Sequence, residues 1–339
     1  MDNKKRKKGA KKGRTALLIV LFLFLTLFLA VFLYGSSKLN KISYDEPGLT
    51  SVSENDQTLP ALQKVQSKAE IKKEIAKAAA VQSVVLPQGE AETDSEIVNI
   101  LLLGTDIRIP GTSDPGRADS TMLCSLNMKT GNVKLVSFER GIYVPIPDMG
   151  EDLLTHAYHW GGALLSQSII EECFLLDLEG YAQVDFDSFK LVIDTIGGVD
   201  IELTEAEAAA LKLPVGVSHL NGSQALSYCR LRSIDSDWNR QQRQRTTIAA
   251  ALKQVRKLNL KELDSTMNTL LPMIHTNLSK TEISRLMLNA PKFVKGNVEQ
   301  LQVPDQNWTN GYIKCDFDYE HKKITNFLYG TNYEISSPY

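Results

Sequence analysis

Residues Ala16–Tyr34 form one apolar run, interrupted only by Thr26 and free of charge. A helix of this length spans about 28 Å, close to the hydrocarbon thickness of a bilayer. After it the pattern changes. Asp45–Thr58 is polar and aperiodic, with a Pro47-Gly48 turn signal. Pro60–Val85 carries Leu62, Val65, Ala69, Ile71, Ile75 and Ala79 at roughly helical spacing among Lys, Glu and Gln, which predicts a weakly amphipathic helix. From Ile97 the chain is globular in character. Short apolar runs at Ile97–Leu103, Thr121–Leu126, Val133–Phe138 and Val199–Leu203 predict strands. Helices are predicted over Gly161–Leu176, Phe186–Ile196, Arg240–Leu258, Leu260–Met273 and Lys280–Phe293, and Ala225–Arg232 reads as a strand or a helix end. Strands alternating with helices predict an α/β domain with a central mixed sheet flanked by helices.

Charge sharpens the reading of the N-terminus. Eight of the first fourteen residues are Lys or Arg, while the 339-residue chain as a whole carries a formal charge of −2. The rest of the chain is therefore acidic, and no global basic field points to nucleic acid. A cleaved signal peptide has an apolar region of about 7–15 residues and a small-x-small site. Here the run is longer, and Gly35-Ser36-Ser37 matches such a site only weakly. Residues 16–34 thus read as an uncleaved transmembrane signal anchor behind a basic cytoplasmic tail, residues 1–15. By the positive-inside rule, everything after Tyr34 is then outside the plasma membrane. Residues 35–96 read as an extracytoplasmic spacer, and 97–339 as the functional domain. The four cysteines, Cys124, Cys173, Cys229 and Cys315, match no metal-ligand spacing and read as free thiols.

Two groups of residues carry phosphate chemistry. Asp106 and Asp119 read as residues of two loops that leave neighbouring strands, where hard carboxylate oxygens suit Mg²⁺ or Mn²⁺. Arg230 and Arg232 are two apart, which on a strand would point them the same way. Arg240 and Gln244 share a helix face by their i, i+4 spacing. Arg117 and Arg140 add cations near strand ends, and Arg243 and Arg245 extend the set. Guanidinium groups hold phosphate oxygens bidentately and keep their charge. His156 and His159, three apart before Gly161-Gly162, read as core or turn residues. The arginines are not interleaved with aromatic stacking platforms, and none of the common nucleophile-elbow, zinc-protease or P-loop motifs is present.

Taken in order, these pieces resemble the LytR–CpsA–Psr family. The resemblance rests on Gly104-Thr105-Asp106, Arg117–Met122, Val136–Val144, His156–Gly162, Val184–Phe189, Ile196–Asp200, Leu220–Leu226, the paired arginines, and Arg240–Gln244. It covers a core of about residues 99–258 and implies a role for each site residue. Asp106 and Asp119 would hold Mg²⁺. Arg117, Arg140, Arg230, Arg232, Arg240 and Gln244 would contact the pyrophosphate of a polyprenyl-linked glycopolymer, with Arg117 and Arg140 catalytic. The implied activity is transfer of the glycan phosphate to a peptidoglycan sugar hydroxyl, attaching teichoic acid, capsule or another wall polymer. The chain departs from the family at Glu139-Arg140-Gly141, where an aspartate commonly follows the arginine; Glu139 is the carboxylate at hand to replace it. Two alternatives stand beside that activity: a pyrophosphatase-like hydrolase on the same lipid, with water as acceptor, and a non-catalytic lipid- or wall-binding module, which Gly141 favours. A transcriptional role fits least, since about fifteen basic residues cannot fold into a helix-turn-helix domain.

Overall fold

A computed structural model describes residues 42–44, 67–106, 116–259, 262, 265–266, 268–269, 273–304 and 313–336. Along the chain these form β1 (Ser43–Tyr44), α1 (Lys68–Val81), β2 (Ile97–Asp106), β3 (Arg117–Asn127), β4 (Val133–Phe138), β5 (Tyr143–Ile146), β6 (Gly150–Leu153), α2 (Leu154–Phe174), β7 (Gly180–Asp185), α3 (Phe186–Thr195) and β8 (Val199–Leu203). There follow α4 (Glu205–Leu211), β9 (Gly216–Leu220), α5 (Gly222–Arg230), α6 (Asp237–Val255), β10 (His275–Thr276), α7 (Lys280–Lys295), β11 (Val298–Val303) and α8 (Phe317–Tyr329). The basic block and the apolar run Ala16–Tyr34 lie outside the described residues, as does most of the helix expected over Leu260–Met273. Among the described residues, no helix is long and apolar enough to cross a membrane.

Seven strands form one mixed sheet in the order β1-β10-β7-β2-β3-β4-β11. β7 runs parallel to β2, and β11 parallel to β4, while β3 is antiparallel to both its neighbours. The period-two alternation of β2 sends its side chains to two cores. Leu101 and Leu103 pack with Ile169, Phe174 and Ile324 on one face. Val98 and Ile100 pack with Leu278, Ile283 and Phe293 on the other. A third cluster, built on Val199, Ile201, Leu220 and Tyr228, joins the β8–β9 hairpin to α3, α5 and α6.

Local sequence explains the helix starts. Capping boxes open α1 (Ser67 with Glu70), α4 (Thr204 with Glu207), α5 (Asn221 with Gln224) and α7 (Ser279 with Glu282), each satisfying two backbone donors that a helix start leaves unpaired. α2 has no side-chain cap and begins at Leu154, earlier than the predicted Gly161. Gly161 and Gly162 do not start it. They kink it, and Gly162 takes φ 64° and ψ −158°, a conformation essentially confined to glycine.

The stretch that reads as a spacer is packed on the domain at two places. Ile71 and Ile75 of α1 are buried in the main core. Lys68 and Lys72 of the same helix bind the buried Glu171 carboxylate of α2 at 2.6 and 3.0 Å. Farther upstream, β1 adds to the edge strand β10, and Ile42 is buried in the second core.

Candidate functional site

The site lies where β2, β4, β7 and β11 end and antiparallel β3 begins. Strand pairing runs farther than the apolar pattern indicates, so Asp106, Arg117 and Asp119 are strand-end residues and not loop residues. Asp106 is opposite Arg117 in the ladder, is 3% exposed, and accepts the Arg117 backbone N–H at 2.8 Å. One step inward the register shifts: Gly104 pairs with Ser120, but Thr105 pairs with Ala118. Asp119 is therefore the extra residue of a β-bulge. Such bulges bend a strand and re-aim a side chain; here it is a carboxylate.

Three cations converge on that bulge. Arg140 Nη1 donates to Asp119 Oδ1 at 2.8 Å, and Arg232 Nη2 lies 3.6 Å from Oδ2. Arg240, itself 2% exposed, donates to the Asp119 backbone carbonyl at 3.4 Å. One turn along α6, Gln244 accepts the Ser120 hydroxyl at 3.0 Å. The i, i+4 pair read from sequence thus grips two consecutive residues of β3. From the other side of the strand, Thr155 of α2 donates to the Ala118 carbonyl at 2.9 Å, and its own N–H donates to the Arg140 carbonyl at 3.1 Å. Three guanidinium groups meet one carboxylate here, and two of them, Arg140 and Arg232, are partly exposed, an arrangement that suits a multiply charged anion.

Arg230 is placed differently. The strand reading of Ala225–Arg232 does not hold: α5 ends at Arg230, and Leu231 turns the chain out of the helix. Arg230 and Arg232 are therefore not related by strand alternation. Arg230 is exposed and its guanidinium lies over the Phe186 ring at 4.4 Å, at the end of β7, while Arg232 reaches Asp119.

Two arginines of the set are buried supports. Arg243 makes bonds of 2.7 and 2.8 Å to both carboxylate oxygens of Asp235 and one of 2.7 Å to the Leu231 carbonyl. Asp235, invisible as a functional position in the sequence, thereby pins the α5–α6 connection that presents Arg232, and the Arg243 bonds hold its carboxyl below the usual range. Arg245 donates to Gln242, Gln300 and Gln302. Burial without a carboxylate partner lowers its pKa to about 10.

Glu139 is 4% exposed and bonded to Gln241 Nε2, so the carboxylate beside Arg140 is turned into the protein. His156 and His159 fall on the first two turns of α2. His156 Nδ1 lies 2.8 Å from Asp152 Oδ1, whose other oxygen accepts Trp160 Nε1 at 3.3 Å. All four cysteines are free, and burial pushes the Cys229 thiol up to about 11.

Among the described residues, no group of three or more His, Cys, Asp and Glu side chains is arranged to hold a metal. A Mg²⁺ ion commonly takes only one or two carboxylates and completes its shell with water and phosphate oxygens. Asp106 and Asp119, at adjacent strand ends, fit that smaller requirement.

Next to the site, the sheet face under α6 and α7 is incompletely covered. Leu102, Cys124 and Ala182 belong to interior strands yet are only partly buried, as are Ile248 of α6 and Leu286 and Met287 of α7. An interior sheet face that keeps apolar side chains accessible is a place for an apolar ligand.

The geometry is that of an α/β domain with a cluster of arginines around a carboxylate at one end of its sheet and an apolar face beside it. Residues 59–331 match the LytR_cpsA_psr family, to which this chain belongs. A relative from Bacillus mycoides (strain KBAB4), the polyisoprenyl-teichoic acid–peptidoglycan teichoic acid transferase TagU, is 34% identical over 215 residues, covering 62% of this chain and 69% of its own. A TagU of Enterococcus faecalis is 31% identical, covering 62% and 71%. A solved structure of TagT bound to LIIa-WTA superposes with a TM-score of 0.58 at 27% identity, covering 72% of this chain and 99% of TagT. Another, TagT with bound octaprenyl pyrophosphate lipid, superposes at 0.54 with 25% identity, covering 73% and 100%.

Proposed function

We propose that this chain transfers a glycopolymer phosphate from a polyprenyl-pyrophosphate carrier to a sugar hydroxyl of peptidoglycan. The carrying observation is the convergence of Arg140, Arg232 and Arg240 on the bulged Asp119. The names of the relatives support the same chemistry. In the reaction the acceptor hydroxyl oxygen attacks the glycan-side phosphorus. The bond from that phosphorus to the bridging oxygen breaks, polyprenyl phosphate leaves with the bridging oxygen, and the hydroxyl proton passes to solvent or a base. Such a step depends on positioning and on neutralising charge. Arg140 and Arg117 are assigned to the transferring phosphoryl group. Arg230, Arg232, Arg240 and Gln244 are assigned to the rest of the pyrophosphate. A divalent ion, Mg²⁺ or Mn²⁺, held by Asp106 and Asp119 would supply further neutralisation. The partly covered apolar face of Leu102, Cys124 and Ala182 would receive the prenyl chain.

The apolar run Ala16–Tyr34 with its basic flank supports a single-pass anchor in the plasma membrane, with the domain outside. The test of activity is incubation of purified protein with a labelled lipid-linked glycan and peptidoglycan fragments. Label on peptidoglycan supports the proposal. Glycan phosphate released into solution would favour hydrolysis instead, and tight lipid binding without turnover a binding module.

A further inference from the structure

With residues 16–34 as an anchor, the length of free chain between Tyr34 and the domain sets how far from the bilayer the domain can stand. Had the chain first met the domain at α1, the connection from Tyr34 to Ser67 could reach about 120 Å at full extension. It meets the domain much earlier. Ser43 and Tyr44 pair with His275 and Thr276, and Ile42 is 8% exposed in the core cluster that also holds Leu278 and Ile283. From Tyr34 to Ile42 the chain can span at most about 29 Å.

The register also gives a direction. β7 runs toward the catalytic end, finishing at Asp185 opposite Thr105. β10 is antiparallel to β7, with His275 opposite Gln183 and Thr276 opposite Ala182, and β1 is parallel to β10. β1 therefore runs away from the catalytic end, so the chain enters it from that side. Ser43 is level with Gln183, and so with Leu103 of β2, three residues short of Asp106. That is a rise of about 10 Å.

We infer that β1 is a docking strand that shortens the membrane tether, holding the catalytic end of the domain beside the bilayer that carries the lipid-linked substrate. The bilayer is the partner of this edge of the molecule. The long segment between β1 and α1 then contributes nothing to the stand-off distance, because both its ends are fixed on the domain. This inference rests on the anchor proposed above and deepens it.

The experiment uses the full chain in vesicles containing dansyl-labelled lipid headgroups. Energy transfer from tryptophan, measured in a Trp308→Phe background, reports distance to the bilayer; Trp160 bonds Asp152 from the second turn of α2, and Trp238 lies two residues before Arg240 at the start of α6. An insertion of about twenty Gly and Ser residues is made either between Ser37 and Lys38 or between Asn55 and Asp56. The upstream insertion is expected to lower energy transfer, and to reduce transfer from a carrier in the same vesicle about sevenfold, as effective concentration falls with tether length. The downstream insertion should leave both at the wild-type level. Ile42→Asp, which expels β1 from its core, should mimic the upstream insertion. Rates with a water-soluble short-prenyl carrier should be equal in all four proteins, which excludes damage to the fold. Equal effects of the two insertions, or none from either, would overturn the inference. Failure of the wild-type chain to float with vesicles would instead remove the anchor, and the inference with it. Energy transfer needs no turnover, so an inactive protein would count against the proposed reaction and not against the docking.

Discussion

Asp119 Oδ1 accepts a bond of 2.8 Å from Arg140 Nη1, although the two residues come from different strands' ends and Asp119 has no place in the β2–β3 ladder. The bulge puts a carboxylate in reach of Arg140 and Arg232 together and leaves its backbone carbonyl to Arg240. A regular strand would have paired Asp119 with Thr105 and Ala118 with Asp106, moving Arg117 out of register with Asp106.

Asp119→Asn should lower transfer about 10²–10³-fold, the cost typical of losing one preorganised charged contact in an active site. The fold should survive, because Arg140 and Arg232 are partly exposed and can be solvated again. Single-turnover rates and a thermal melt measure the two effects separately. A drop in melting temperature large enough to explain the lost rate would make Asp119 a structural residue.

Arg230 and Arg232 should separate. Arg232→Ala and Arg232→Lys should both impair carrier binding and turnover, since lysine keeps the charge but not the planar fork. Arg230→Ala should cost less, because Arg230 lies over Phe186 and away from Asp119. Titration of each variant with a lipid pyrophosphate checks the order. Equal losses for the two alanine variants would mean that bound substrate draws Arg230 into the cluster.

Asp235→Asn should weaken the site without touching it. Arg243 is 3% exposed, and loss of its charge-assisted bonds is worth about 1.5–3 kcal/mol. The same bonds make stability depend on pH. The Asp235 carboxyl is held below its ordinary value by Arg243, so its stabilisation is complete above the unfolded carboxylate range. It is lost as pH falls through the lowered folded value. Acid unfolding of the wild type should therefore have a component that Asp235→Asn lacks, visible in urea midpoints measured from pH 6 downward.

Asp106→Asn, or removal of divalent ions with EDTA, should reduce turnover and the affinity for pyrophosphate together. Added Mg²⁺ or Mn²⁺ should restore the wild type and not the double variant Asp106→Asn, Asp119→Asn. Full activity of the wild type in EDTA would leave the two aspartates with a purely protein-side role: Asp106 bonds the Arg117 backbone and Asp119 positions the arginines.

Sequence by itself determined the elements whose pattern is local. The strands Val133–Phe138 and Val199–Leu203 stand where their apolar runs fall, and Arg240 and Gln244 share the helix face that their spacing requires, because helix and strand periods follow from backbone geometry alone. The ordered motifs also indicated the family. What only the tertiary structure decided depends on contacts between residues far apart in the chain. The bulge at Asp119 appears only in the register of β3 against β2, where Gly104 pairs with Ser120 but Thr105 with Ala118. Arg243 became a support, and not a ligand contact, because Asp235 lies eight residues before it across a turn that no periodicity describes. β1 has two residues and no pattern to read; it is a strand because β10 offers it a hydrogen-bonding edge and because Ile42 finds a core to enter.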